Sequence, residues 1–147
     1  MKIAVINGPN MNMLGKRDEK HYGQDTLSSI NDELLKIAKD NNIKLEFFQS
    51  NHEGDLVEYI HKNFKDWDGL IINPAGLTTT SVVLRDAVEL LDIPIMEVHL
   101  SNIYAREKFR QKSLFREIVM GHICGLGAFG YKAALYYLID KLNKGER

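Results

Sequence analysis

Gly69-Leu70-Ile71-Ile72-Asn73-Pro74 decides the fold. An almost wholly apolar run ends abruptly at an amide and a proline. A strand with one wet face alternates apolar and polar residues, whereas an unbroken apolar strand is covered on both faces, as in a parallel sheet between layers of helix. The flanking sequence agrees. Lys2–Asn7, Lys44–Gln49, Ile95–Val98 and Ile118–Cys124 read as four more strands. Between the first two, Asp25–Asn42 sets Leu27, Ile30, Leu34, Ile37 and Ala38 on one helical face. Ser50 and Glu53 make a capping-box pattern ahead of Leu56, Ile60 and Phe64. Thr80 or Ser81 can cap a third helix that carries Val83, Leu84, Ala87, Leu90 and Leu91. A short helix is expected near Tyr104–Phe109 and a final one through Tyr131–Leu142.

Strands alternating with helices predict parallel pairing through right-handed crossovers. By analogy, five such strands suggest a flavodoxin-like α/β sheet of order 2-1-3-4-5 with helices on both faces. The 147 residues correspond to one domain. With 44% hydrophobic and 27% charged residues and a net charge of -1, the composition is that of a soluble globular protein. Balanced charge gives no electrostatic reason to expect nucleic acid or an anionic membrane as partner. Cys124 is a lone cysteine, no Cys/His spacing suggests zinc, and a reducing cytoplasm fits. The apolar start meets polar Asn7 too soon for a signal peptide, and no run approaches the ~20 residues of a membrane helix.

Ligands of such sheets bind beyond the carboxyl ends of the strands. Those ends are Asn7-Gly8-Pro9-Asn10, Asn73-Pro74-Ala75-Gly76 and Glu97-Val98-His99-Leu100-Ser101-Asn102, which the proposed order sets side by side. Each alone is ordinary turn chemistry. Together they bring amides, a hydroxyl, a carboxylate and an imidazole to one rim. Glu97 and His99, two apart on a strand, share a face. A carboxylate there orients the ring and favours imidazolium, which suits a general acid. Met11–Gln24 is a long polar connection holding Arg17 and Tyr22. A tyrosine, with pKa about 10, serves as a base at neutral pH only if cations stabilise its phenolate, for which Arg17, Arg106 or Arg110 are placed. Thr78-Thr79-Thr80-Ser81 offers more hydroxyls than capping needs and forms a natural anion site. Gly125-Leu126-Gly127-Ala128-Phe129-Gly130 matches a dinucleotide fingerprint, but no further strand follows, so these glycines read as tight packing of the last helix.

Asn7 through Arg17 with Tyr22-Gly23, then Gln49 through Gly54, Ser81 through Asp86, Glu97 through Asn102, Arg106 through Arg110, and Gly125-Leu126-Gly127 with Gly130-Tyr131 together resemble the type II 3-dehydroquinate dehydratases over essentially the whole chain. The resemblance implies a hydro-lyase of the shikimate or quinate pathway that converts 3-dehydroquinate to 3-dehydroshikimate through an enolate, with no metal or cofactor. It implies trimers assembled into a dodecamer. It assigns Tyr22 as the base, Arg17 and Arg106 as cations favouring its phenolate, Asn10 as holder of the water that stabilises the enolate, and His99, oriented by Glu97, as the acid. Asn73, Leu100, Ser101 and Arg110 match substrate-binding positions. Asp86 matches a residue reaching a neighbouring subunit's site.

One position departs. Thr79 stands where the family usually has a histidine that contacts substrate. A lost hydrogen bond to a charged ligand costs about 1.5–3 kcal/mol, so weaker substrate binding with the chemistry intact is expected. The competing class is a flavodoxin-like module for a flavin or a phosphate; it would be yellow as purified, or would need an acidic cluster where this chain has Asn7-Gly8-Pro9-Asn10. A dinucleotide enzyme would show a cofactor-dependent absorbance change.

Overall fold

The structure is a computed structural model that describes residues 1–16 and 24–145. Five strands, β1 (Lys2–Asn7), β2 (Lys44–Gln49), β3 (Gly69–Asn73), β4 (Ile95–His99) and β5 (Gly121–Cys124), pair in parallel in the order 2-1-3-4-5. The expected α/β sheet is thus observed. The helices are α1 (Leu27–Asp40), α2 (Glu53–Asn63), the single turn α3 (Leu77–Thr80), α4 (Val82–Glu89) and α5 (Phe129–Asn143). Among the described residues, no helix is long and apolar enough to cross a membrane.

Strand alternation divides the interior in two. Ile3, Val5, Ile71, Met96 and Val98 pack against α1 (Ile30, Leu34) and α5 (Ala134, Leu135, Leu138). Their chain neighbours Ala4, Ile6, Leu70, Ile72 and Ile95 pack against α2 (Leu56, Ile60) and α4 (Leu84, Val88), with Trp67 and Phe115. Consecutive strand residues point to opposite faces, so an unbroken apolar strand feeds both cores. The same parity carries Asn7 and Asn73 to the α1/α5 side at the strand tips, and Glu97 and His99 to the α2/α4 side.

Three local expectations are corrected and one is met. The Ser50–Glu53 capping box does not form: α2 starts at Glu53 with His52 as N-cap. Ser50 instead donates to Asp55 at 2.8 Å and accepts from the His52 amide, while Ser81 donates to Glu53. A true capping box sits at α1, where Thr26 and Ser29 exchange side chain-to-backbone hydrogen bonds. The third helix is capped by Ser81 as expected, its hydroxyl accepting from the Leu84 amide at 2.9 Å, and the extended backbone of the same residue ends the separate turn α3 just before it. The fifth strand starts at Gly121 rather than Ile118, because the amides of Ile118 and Val119 turn back onto the Phe115 carbonyl and their side chains join the α2/α4 core. The short helix expected near residue 104 is two 3-10 turns, Ile103–Ala105 and Lys108–Gln111.

The strand tips are held closely. A Cβ on Gly8 would lie 2.5 Å from the Pro74 carbonyl oxygen, so only glycine lets these two loops meet. The Gly8 amide donates to the Asn73 carbonyl there at 2.8 Å.

Candidate active site

The tips of β1, β3 and β4 enclose a cleft of about 250 Å³, lined among others by Asn10, Asn73, Thr79, His99, Ser101, Arg106 and Arg110. This is the switch-point position, where neighbouring crossovers leave in opposite directions and open a crevice.

On the β4 side, Glu97 is wholly buried and His99 nearly so. His99 Nε2 lies 2.7 Å from Glu97 Oε1. Thr78 also donates to Oε1, and Ser113 donates to Oε2 at 2.8 Å. Burial pushes the Glu97 carboxyl up, but His99, Thr78 and Ser113 outweigh it and hold the group below the usual carboxylate range. The carboxylate is therefore charged and held at both oxygens, which orients the imidazole. His99 itself lines the cleft.

On the opposite side, Asn73 accepts from the Ala75 amide at 3.0 Å, which sets the orientation of its carboxamide. Its nitrogen donates to the Tyr131 hydroxyl at 3.0 Å, and that hydroxyl donates to Asn7 at 2.5 Å. Tyr131 is fully buried, which pushes its phenol well above the ordinary range, so it stays a neutral relay of hydrogen bonds. Asn10 adopts a left-handed backbone (φ 69°), and its amide donates to Asn51 at 2.8 Å. Gln49 donates to the Gly8 carbonyl and to Asn51, tying the end of β2 onto the β1 loop.

The rim is cationic. Glu107 neutralises it only in part, lying 2.8 Å from Arg110 Nε and 3.7 Å from Arg106 Nε. Arg106 also reaches Ser101 Oγ at 3.4 Å. Two guanidiniums, a hydroxyl, amides and an oriented imidazole suit a small anionic molecule with several oxygens, on which acid–base chemistry can be done.

A family profile described as dehydroquinase class II matches residues 1–139. This chain belongs to the class II dehydroquinase family. Relatives named 3-dehydroquinate dehydratase include one from Pseudoalteromonas translucida, 54% identical over 97% of this chain and 95% of the relative. Another, from Haemophilus influenzae, is 48% identical over 97% of this chain and 96% of its own. The crystal structure of a type II dehydroquinase from Butyrivibrio crossotus superposes with a TM-score of 0.91 at 39% identity, covering 94% of this chain and 97% of that one.

Within this class II dehydroquinase fold, the residues singled out from sequence divide three ways. Asn10, Asn73, Thr79, His99, Leu100, Ser101, Arg106 and Arg110 line one cleft, with Glu97 directly behind His99. Arg17 and Tyr22 lie outside the described residues. Asp86 does not line its own chain's cleft; its side chain is 62% exposed on α4. The proposed anion site at residues 78–81 is not available as such. Thr78 serves Glu97, Thr79 and Thr80 donate to the Gly76 carbonyl, and Ser81 caps α4. The terminal glycines pack as expected: the Gly125 and Gly127 amides donate to the carbonyls of His99 and Leu100, and a Cβ on Gly130 would lie 3.2 Å from Val98. Sequence reading missed Ser113, Tyr131 and Asn51, the groups that hold Glu97, Asn73 and Asn10. No local spacing marks them, because each reaches the site across the fold.

Proposed function

We propose that this chain is a hydro-lyase that converts 3-dehydroquinate to 3-dehydroshikimate, a shikimate-pathway step in the cytoplasm, with the whole chain acting as one catalytic domain. The observation that carries this is the Glu97–His99 pair at the cleft wall opposite the cationic rim, in a chain of the class II dehydroquinase family. In this reading Tyr22, as phenolate favoured by Arg17 and Arg106, removes the proton beside the ketone. The C–H electrons form an enolate, stabilised by a water that Asn10 holds. The enolate then expels the β-hydroxyl, which takes a proton from imidazolium His99 and leaves as water. Return of the proton from Tyr22 to His99 restores the enzyme. Arg110, Ser101, Leu100, Asn73 and Thr79 bind the carboxylate and hydroxyls of the substrate. Every step is proton transfer or elimination and asks nothing of a cofactor.

Incubating the purified protein with 3-dehydroquinate should produce the ultraviolet absorbance of a conjugated enone. Tyr22→Phe should abolish it while leaving substrate binding nearly unchanged. Borohydride with substrate should trap no adduct, since no Schiff base forms. A wild-type protein that gives no enone overturns the reading.

The same reading assigns Asp86 to the cleft of a neighbouring subunit, within trimers that build a dodecamer. Exposed Val82 and Val83 on the same helix, with exposed Leu90 at its C-cap, support α4 as a contact surface. Light scattering should return the mass of twelve chains.

A further inference from the structure

Three ligand atoms converge behind the cleft wall. The β4–β5 register sets Glu97 opposite His122, and the two-residue strand period sets His99 on the same face as Glu97. Glu97, His99 and His122 each present one ligand atom, all within 4.8 Å of one another. The rings of His99 and His122 meet edge to face, with centroids 5.4 Å apart. Nε2 of His122 is buried and has no hydrogen-bond partner among the described residues. Buried ring nitrogens ordinarily find one, and nothing in the dehydration employs this one.

We propose that Glu97, His99 and His122 form an inhibitory zinc site, in which the ion replaces the proton between His99 and Glu97 and is completed by His122. Two imidazole nitrogens and a carboxylate oxygen are a donor set zinc takes readily, with a fourth position left for water. Bonds of about 2.0–2.1 Å place tetrahedral ligands roughly 3.3 Å apart. The His99–Glu97 pair, at 2.7 Å, need open only slightly, while the half-buried His122 ring swings inward. Thr78 and Ser113 already orient the carboxylate, as the outer shell of a zinc site does. Binding forms two Zn–N bonds and one Zn–O bond and releases the displaced proton to solvent; nothing is oxidised or reduced. A zinc-bound His99 is held as neutral imidazole and cannot protonate the leaving hydroxyl. Binding stands on the geometry alone, whereas inhibition rests on the reading of His99 as the acid.

The test uses the full-length protein, stripped with a chelator and then titrated with zinc chloride by calorimetry, with magnesium as the hard-ion control. One zinc per chain is expected, with little response to magnesium. His122→Val should weaken zinc binding by more than the roughly 10- to 100-fold that losing an outer-shell partner costs, while keeping wild-type circular dichroism and wild-type turnover in chelator. His122→Cys, which supplies a thiolate instead, should retain binding. Zinc should inhibit the wild type and spare His122→Val. Equal zinc affinity in wild type and His122→Val overturns the site. Zinc binding through His122 without loss of turnover overturns the inhibitory half. Binding in a protein that never turns over 3-dehydroquinate supports the site and sinks the dehydratase reading instead.

Discussion

Glu97 keeps its charge in the interior because three side chains donate to it. The resulting depression of its carboxyl below the ordinary value of 4.5 makes folding sensitive to acid. A carboxyl that ionises more readily when folded adds stability above its unfolded value, and that stability is lost as pH falls through the folded value. As the pH falls below the ordinary carboxyl value, the urea midpoint of the wild type should therefore fall more steeply than that of Glu97→Gln, which has no such proton to gain. Equal slopes would show that the pair gives Glu97 no preference for charge in the fold. Thr79 makes a second prediction at this scale. Its hydroxyl proton is committed to the Gly76 carbonyl at 3.0 Å, so it faces the cleft with lone pairs only. Thr79→His restores a donor that can carry charge, and KM should drop about tenfold, the low end for a charged hydrogen bond, with kcat little changed. If neither constant moves, residue 79 does not contact substrate.

Tyr131 shows how an element positions chemistry it does not perform. It anchors α5 to the tips of β1 and β3 through Asn7 and Asn73. Tyr131→Phe strands two buried amide groups and should cost about 1–3 kcal/mol in chemical denaturation. Because Asn73 is then held, among the described residues, only by the Ala75 amide and the Met11 sulfur, KM should rise more than kcat falls. Legibility followed the same division between elements and their connections. The limits read for β1, β2 and β3 coincide with those observed, since their apolar runs are cut by Asn, Gln or Pro on the spot. The readings at 50–53 and 118–120 failed because a tertiary partner outbid the local pattern: Ser81 takes Glu53 away from the cap, and the α2/α4 core draws Ile118 and Val119 out of β5. Glu97 and His99 were legible as a pair because two residues is a strand's own period. Ser113 and His122 were not, because a turn and a neighbouring strand's register bring them there.

For the molecule as a whole, one sheet insulates two cores. Ile71 and Ile72 are adjacent in sequence yet belong to different clusters. Ile71→Val and Ile72→Val should each cost about 0.5–1.5 kcal/mol, and the double variant should cost their sum to within about 0.5 kcal/mol. Neighbouring core residues that shared a cavity would couple instead. A larger discrepancy in urea denaturation would mean that the sheet transmits repacking from one face to the other.

The Tyr131 anchor also bears on the order in which the molecule is made. All five strands and every described residue that lines the cleft precede residue 131 in the chain, so a nascent chain can hold the sheet's centre with Asn7 and Asn73 still unclasped. The clasp on Asn7 and Asn73 forms only once the final helix has emerged and docked, and a chain released before then also lacks Ala134, Leu135 and Leu138 from one of its two cores.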